Sequence, residues 1–299
     1  MKPWAWLMVV GLPLSAGEIA LSFDDAPRRD SVYFSGMERT QRLILGLKEA
    51  GVAQAVFFVT TGNIDGPQSR QRLEMYTEAG HLLGNHSHSH QHPDRMGAQA
   101  YVADIAHAHR QLKEMKGFRP WYRYPFLDEG RERETRNAVL AGLAELGYRN
   151  GYVTVDNYDF YMDTLLQRAV TDGKKVNLEK LKTAYLEILW QGIQFYDNIG
   201  RQVLDRSPKH VLLLHENDLA ALFIVDLVAM LREKGWRIIT ADEAYGDPIA
   251  QVMPQTIWQN QGRVAAIARD KGFQGRDLVH ESEDEEFLES YFMNAGVFE

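Results

Sequence analysis

The chain has 299 residues, 45% of them hydrophobic and 25% charged, a balance that can bury a large core and excludes a disordered, collagenous or low-complexity protein. Lysine and arginine total 33 against 41 aspartates and glutamates, a net charge of -8, which argues against a basic phosphate-binding face and hence against nucleic acid as a partner. Cysteine is absent, so disulfides, thiolate zinc sites and cysteine nucleophiles are excluded, and any metal must sit on His, Asp or Glu.

At the N-terminus Lys2 precedes an apolar run from Ala5 to Leu14, followed by the small residues Ser15, Ala16 and Gly17. That is the order of a signal peptide; a first buried strand or helix is the plainer alternative, but the next segment, Glu18 to Ser22, already reads as a strand. The apolar run is too short to span a bilayer, which takes about 20 apolar residues. Residues 1–16 are therefore expected to be a cleaved signal, giving a periplasmic or secreted protein with no transmembrane anchor after its removal.

Apolar, β-branched runs then alternate with segments of helical period. A strand at Ile19 to Phe23 is followed by a helix from Thr40 to Ala50, a strand at Ala55 to Thr60 and a polar stretch reaching Gly80. Next come His81 to Leu83, a helix from Ala98 to Lys116, a short run at Trp121 to Tyr124, a helix from Glu132 to Leu146 and a strand at Gly151 to Val155. After a long helical stretch between Asn177 and Leu204, the alternation resumes with Val211 to Leu214, Leu219 to Lys234 and Trp236 to Thr240. Repeated βα units build a parallel sheet with outer helices, and this many favour closure into a barrel. An α/β barrel over residues 18–247 is expected, interrupted by a helical insertion over 162–209 and followed by an extension over 248–299. In that extension Glu281 and Glu283 to Glu286 read as the solvated start of a helix that continues through Phe287, Leu288, Tyr291 and Phe292.

Five polar clusters fall at predicted strand ends, where barrel enzymes present their chemistry. Ser22-Phe23-Asp24-Asp25 closes the first strand. Adjacent strand residues point oppositely, so both carboxylates reach one cavity only if the chain turns there; alone, Asp-Asp before Ala-Pro is also an ordinary turn or cap. The run Asn85 to His92 holds four of the ten histidines at alternate positions. His86 and His90, four apart, share a face in a helix or a strand, and with one carboxylate they would make the two-His-one-carboxylate set of a catalytic divalent metal; a solvated histidine-rich loop is the plainer alternative. Arg123 stands at the end of an aromatic, proline-rich run, Asp156 to Phe160 follow another strand, and Val211 to Leu214 end in His215.

Together these five segments resemble the five motifs of the polysaccharide deacetylases, carbohydrate esterase family 4, in order and rough spacing from about Glu18 to Tyr245. Ser22 to Asp25 match Thr/Ser-Phe-Asp-Asp, and Gly84 to His90 match Gly-Asn-His-Thr/Ser-x-x-His. Arg123 to Phe126 match Arg-x-Pro-Tyr/Phe, Asp156 to Phe160 match Asp-x-x-Asp-Trp, and Val211 to His215 match the apolar strand that ends in His. The resemblance implies a distorted (β/α) barrel and a hydrolase that removes acetyl groups from an N-acetylated glycan such as chitin oligosaccharide or peptidoglycan N-acetylglucosamine. It implies a metal, usually zinc, on Asp25, His86 and His90. Asp24 would be the general base, oriented by Arg123, and His215 the general acid, partnered by Asp159. Leu213, Phe160 and Pro125 would line the substrate pocket, with Phe160 in place of the usual Trp keeping an apolar wall but losing the indole donor. Such a division suits amide hydrolysis, which needs an activated water, a polarised carbonyl and a proton for the leaving amine. The same site would also serve an O-acetyl esterase, and the same fold a noncatalytic carbohydrate-binding envelope protein. Thr60, Thr61 and Gly62, after the second strand, would either face the cleft or form a plain strand-to-helix turn.

Overall fold

A computed structural model of the chain describes residues 17–257 and 260–298; the expected signal segment lies outside the described residues. In chain order the elements are β1 (Gly17–Ala26), α1 (Gly36–Glu49), β2 (Val56–Val59), α2 (Pro67–Glu78), β3 (Leu82–Asn85), α3 (Pro93–Met96), α4 (Ala98–Leu112) and β4 (Phe118–Tyr122). They continue with α5 (Arg133–Glu145), β5 (Arg149–Asn150), α6 (Asp159–Thr171), α7 (Leu178–Leu204), β6 (Lys209–His215), α8 (Asp218–Glu233), β7 (Trp236–Ile238), α9 (Ala241–Ala244), α10 (Arg263–Asp270) and α11 (Glu285–Asn294).

The strands form one parallel sheet in the order β5-β4-β3-β2-β1-β6, with β7 beside the start of β1. The sheet curls until the chain after β5 bridges its two edges. At one end of that segment the Gly151 amide donates to the Tyr122 carbonyl of β4 at 2.6 Å; at the other, Leu213 of β6 donates to the Val155 carbonyl at 3.1 Å. A distorted (β/α) barrel results. Its strands are near-continuous apolar runs because both faces are covered: every residue of β2 is buried, as are Ile19 to Phe23 of β1.

Aromatic rings fill the interior. Phe57 is sandwiched between Phe23 at 4.8 Å and Tyr76 at 3.8 Å. Phe58 lies where two glycines leave room for it: a Cβ on Gly84 would meet its ring at 2.5 Å, and one on Gly151 at 2.6 Å. Neither glycine has an unusual φ; the close approach of the ring is what requires them.

Several sequence expectations change. The polar stretch before Gly80 contains α2, whose inward face carries Ser69, Arg72 and Thr77 beside Leu73 and Tyr76, so its apolar period is weak. The expected strand at Gly151 to Val155 is reduced to isolated pairing at Val155, since the segment must leave one sheet edge and reach the other. Asp159, expected only to follow a strand, begins α6, and the long helix of the insertion runs from the Asn177 cap as expected.

The tail packs into the barrel. Ile249, Val264, Leu288, Phe292 and Val297 belong to the same buried cluster as the strands. Arg263 donates its amide to Val153 at 2.7 Å, and Tyr158 to Ser282 at 2.9 Å. The acidic run does begin a helix, with Asp284 capping α11 through the Phe287 amide. It is not wholly solvated, however: Glu283 is buried and accepts from the Tyr196 hydroxyl and the Gln261 amide.

Replacing Gly84 with alanine is expected to push Phe58 off its seat. Overpacking of this kind costs about 1–3 kcal/mol, so the urea midpoint should fall with little change in the slope of the transition.

Candidate active site

The C-terminal ends of β1, β3, β4 and β6 converge on a cavity of about 400 Å³. At the end of β1 the pairing register with β2 shifts between Phe23 and Ala26, and Asp25 takes a left-handed φ of 67°. That twist brings two consecutive carboxylates to one cavity, which a regular strand could not do.

The two histidines meet by a route that differs from the expectation of one helix or strand face. β3 ends at Asn85, and residues 86–90 form an irregular loop in which Ser87 and His90 are left-handed, with φ of 70° and 52°. Side chains hold the loop in place of a ladder. Asn85 accepts from the Ser87 amide at 2.8 Å, Ser87 Oγ accepts from the His90 amide at 2.9 Å, and Asp104 accepts from the amides of His88 and Ser89. The rings of His86 and His90 lie 4.9 Å apart. His90 Nε2 is 3.2 Å from Asp25 Oδ1, while His86 Nε2 is 3.8 Å from that oxygen and 3.6 Å from Asp24 Oδ2.

These donors fit a divalent metal ion. One atom from each of Asp25, His86 and His90 lies within 4.8 Å of the others. His86 donates Nδ1–H to the Arg123 carbonyl at 2.8 Å, which fixes the tautomer and leaves the Nε2 lone pair facing the cavity. Burial, only partly offset by the Asp24 charge, pushes the His86 imidazole down to about 4, so it is neutral, as a ligand must be. Burial raises Asp25, but the imidazoles of His90, His215 and His86 and the Arg28 guanidinium outweigh it and hold this carboxyl well below the usual range.

Arg123, immediately after β4, is 1% exposed and fastens the acid beside this cluster. Its Nη1 donates to both oxygens of Asp24 at 2.8 and 3.0 Å, and its Nη2 to Ser22 Oγ and Tyr245 Oη at 3.2 Å each. Its Nε donates to the Gly151 carbonyl, and its guanidinium lies 4.2 Å over the Phe58 ring.

His215 ends β6 directly beside Asp24 in the register with β1. Its Nδ1 is 2.6 Å from Asp159 Oδ1, and its amide donates to Asp159 Oδ2 at 2.9 Å. Asn217 supplies a further donor to Asp159 Oδ2. Burial pushes the imidazole down, but Asp159, Asp25 and Asp24 outweigh it, and its pKa stands above the ordinary value.

Leu213 and Phe160 line the cavity, and Asp156, buried there, is pushed up by burial and by Glu283. Pro125 does not line it: Pro125 is buried, and the neighbouring Phe126 and Leu127 form the wall, both at left-handed φ. Among Thr60, Thr61 and Gly62, Thr60 reaches the site, its hydroxyl 3.4 Å from Asp25 Oδ1. Of the histidines without an expected role, His92 stacks on Phe126 at 4.1 Å and bonds Asp128 at 2.7 Å, His88 bonds Thr61 at 3.0 Å, and His81 is buried, accepting from the Ala55 amide.

Sequence reading missed Glu216. Fully buried next to His215, it accepts from Arg72 at 2.7 and 2.9 Å, from Tyr76 at 2.8 Å and from Thr40 at 3.2 Å. The polar run Glu216-Asn217-Asp218 after an apolar strand was its one signal; its partners come from α1 and α2, far away in sequence. Asn217 and Tyr245 escaped notice for the same reason.

Replacement of Asp159 by asparagine removes the charge that opposes burial at His215. Its imidazole is then expected to titrate lower than in the unmodified protein, a shift that NMR of the ring resonances would show.

The family model for polysaccharide deacetylase matches residues 12–151. The chitin deacetylase of Colletotrichum lindemuthianum is 26% identical over 251 residues, covering 80% of this chain and 85% of that protein. A family 4 carbohydrate esterase from Streptomyces lividans, solved in complex with acetate, superposes with a TM-score of 0.51 at 18% identity, covering 77% of this chain and 96% of that one. A family 4 pseudoenzyme from Bacillus anthracis superposes with a TM-score of 0.52 at 16% identity, covering 77% and 66%. The family match ends at the segment that closes the barrel, while the superposition covers 77% of the chain. Residues 12–151 thus match the polysaccharide deacetylase family, and the chain as a whole is similar to chitin deacetylase in sequence and to a family 4 carbohydrate esterase in fold.

Proposed function

We propose that this protein is a metal-dependent hydrolase that removes acetyl groups from an N-acetylated carbohydrate, chitin oligosaccharide or peptidoglycan N-acetylglucosamine. One observation carries the reading: the Asp25-His86-His90 set, the Arg123-bound Asp24 and the Asp159-bound His215 all open on one cavity. A pseudoenzyme shares the fold, so the fold alone does not argue for turnover; the complete set of groups does.

Asp25, His86 and His90 would hold the ion, most simply zinc, which supplies Lewis-acid polarisation of the acetyl carbonyl and a lowered pKa for attacking water. Asp24, held by Arg123 with both oxygens bonded, accepts the proton of that water. His215, kept protonated by Asp159, faces the same cavity and donates a proton to the nitrogen as the C–N bond breaks. The products are acetate and a free amine on the sugar. Leu213 and Phe160 give the acetyl methyl an apolar wall. Among the described residues no helix is long and apolar enough to cross a membrane, and the Lys2-led apolar run supports export to the periplasm or the exterior.

General acid–base groups each contribute about 10²–10⁴ in rate. Asp24→Asn is expected to lower kcat by that order while the protein keeps its metal, whereas His86→Ala should lose metal and activity together, as metal analysis beside an acetate assay would show. Acetate release from chitooligosaccharides should stop with chelator and return with zinc. Release only from O-acetylated xylan would move the assignment to an esterase, and no release from any acetylated glycan despite bound metal would move it to a binding protein. Because His215 must be protonated to act, the alkaline limb of the rate profile should lie above the ordinary histidine value and move to lower pH in Asp159→Asn.

A further inference from the structure

Arg28 lies on the loop between β1 and α1, and its backbone is fixed from several directions. Its amide donates to Glu216 Oε2 at 2.6 Å, and its carbonyl accepts from Arg72 at 2.7 Å and Arg39 at 3.3 Å. Glu216, Arg72 and Arg39 are themselves buried and paired, Arg39 with Asp218 at 2.6 Å. Such anchoring holds a residue in one position before any ligand arrives.

The side chain contrasts with this. Among the described residues the Arg28 guanidinium forms no side-chain hydrogen bond and no ion pair, and its Nη1 is shut away from water with no partner. Asp25 and Asp163 feel its charge, yet neither lies within ion-pair distance. A half-buried guanidinium with no hydrogen bond of its own, one of its nitrogens shut away from water, has its donors free for an acceptor that comes from outside.

Its position limits where that acceptor can come from. Arg28, Asp25 and His90 form the boundary between the 400 Å³ cavity and an adjoining groove of about 270 Å³. The rest of the groove is Arg29, Thr60 and Asn63, so its lining is polar, and Arg29 is exposed and also without an ion pair among the described residues. Because the groove adjoins the cavity at these residues, a saccharide with its acetamido group at the Asp25-His86-His90 set would have room there for a neighbouring ring or substituent.

We propose that Arg28, with Arg29 beside it, selects acetylated saccharides that carry a carboxylate next to the residue being deacetylated. A guanidinium presents a planar fork that matches a carboxylate with two parallel hydrogen bonds, and no neutral sugar substituent uses it as well. The inference rests on the deacetylase reading for the position of the acetamido group and adds a specificity-determining residue to it.

The test is equilibrium binding by calorimetry to the zinc-supplemented protein in the Asp24→Asn background, where turnover is slowed about 10²–10⁴-fold and consumes little ligand. The probes are a β-1,4 tetrasaccharide of alternating N-acetylglucosamine and N-acetylmuramic acid and the same compound with its lactyl carboxylates methyl-esterified, so that charge alone differs. The free acid is expected to bind at least about tenfold more tightly than the ester. Adding Arg28→Gln should reduce that ratio to near one, and Arg28→Lys should restore part of it. Equal affinity for acid and ester, or a ratio unchanged by Arg28→Gln, overturns the proposal. Acetate release from chitotetraose by the unmodified protein, measured in parallel, reports on the deacetylase reading separately, because binding selectivity does not require turnover.

Discussion

A single buried guanidinium organises this barrel. Arg123 joins Asp24 and Ser22 of β1, the Gly151 carbonyl of the closing segment and Tyr245 near the end of the barrel, while its own carbonyl orients His86. A charge so buried is tolerated only when its donors are matched, so the strands that deliver these acceptors must close to a fixed geometry. The constraint acts in both directions: Arg123 sets where Asp24 sits, and the need to satisfy Arg123 sets how the barrel closes. Phe58 and the two glycines that make room for its ring are part of the same arrangement, since the ring forms the floor under the guanidinium.

A second buried network stands beside the first and shares none of its members. Glu216 gathers Arg72, Tyr76, Thr40 and the Arg28 amide around the residue after His215, and Asp218 takes Arg39 and Ser31. Through these bonds α1, α2 and the loop after β1 are tied to the end of β6. The two proton-handling groups are thus each held from behind: Asp24 by Arg123, and His215 by Asp159 on one side and by a chain position that Glu216 fixes on the other. Preorganised groups of this kind need no rearrangement as charge develops.

The architecture and the positions of the polar clusters were legible in the sequence, because β-branched runs and helical periods are local signals and each cluster ends such a run. Asp24, Asp25, His86, His90 and His215 line one cavity, with Arg123 and Asp159 bonded to Asp24 and His215 behind its wall. What could not be read was pairing across distance. Glu216 and Arg72 are 144 positions apart, and no local pattern links them. Helix α6 was hidden because Asp159 and Asp163 face inward from its first turns, Asp163 to cap the amides of Asp218 and Leu219, so the apolar stripe is broken where the helix begins. Pro125 was assigned to the pocket through its motif, but left-handed conformations at Phe126 and Leu127 turn the next two side chains to the cavity instead.

The pairing of β1 with β6 has a consequence in time. Ser22 bonds the carbonyl of Leu212, 190 positions later, so the first strand emerges from synthesis long before its neighbour exists. Contacts this distant in sequence slow folding, since the entropy of closing the intervening loop is lost before the strands reward it. Until β6 arrives, the apolar edge of β1 stays open, and the nascent chain is correspondingly slow to become compact. On the export proposed above, such a delay would keep the chain threadable, and the bond that seals the barrel would also be the one that ends its passage.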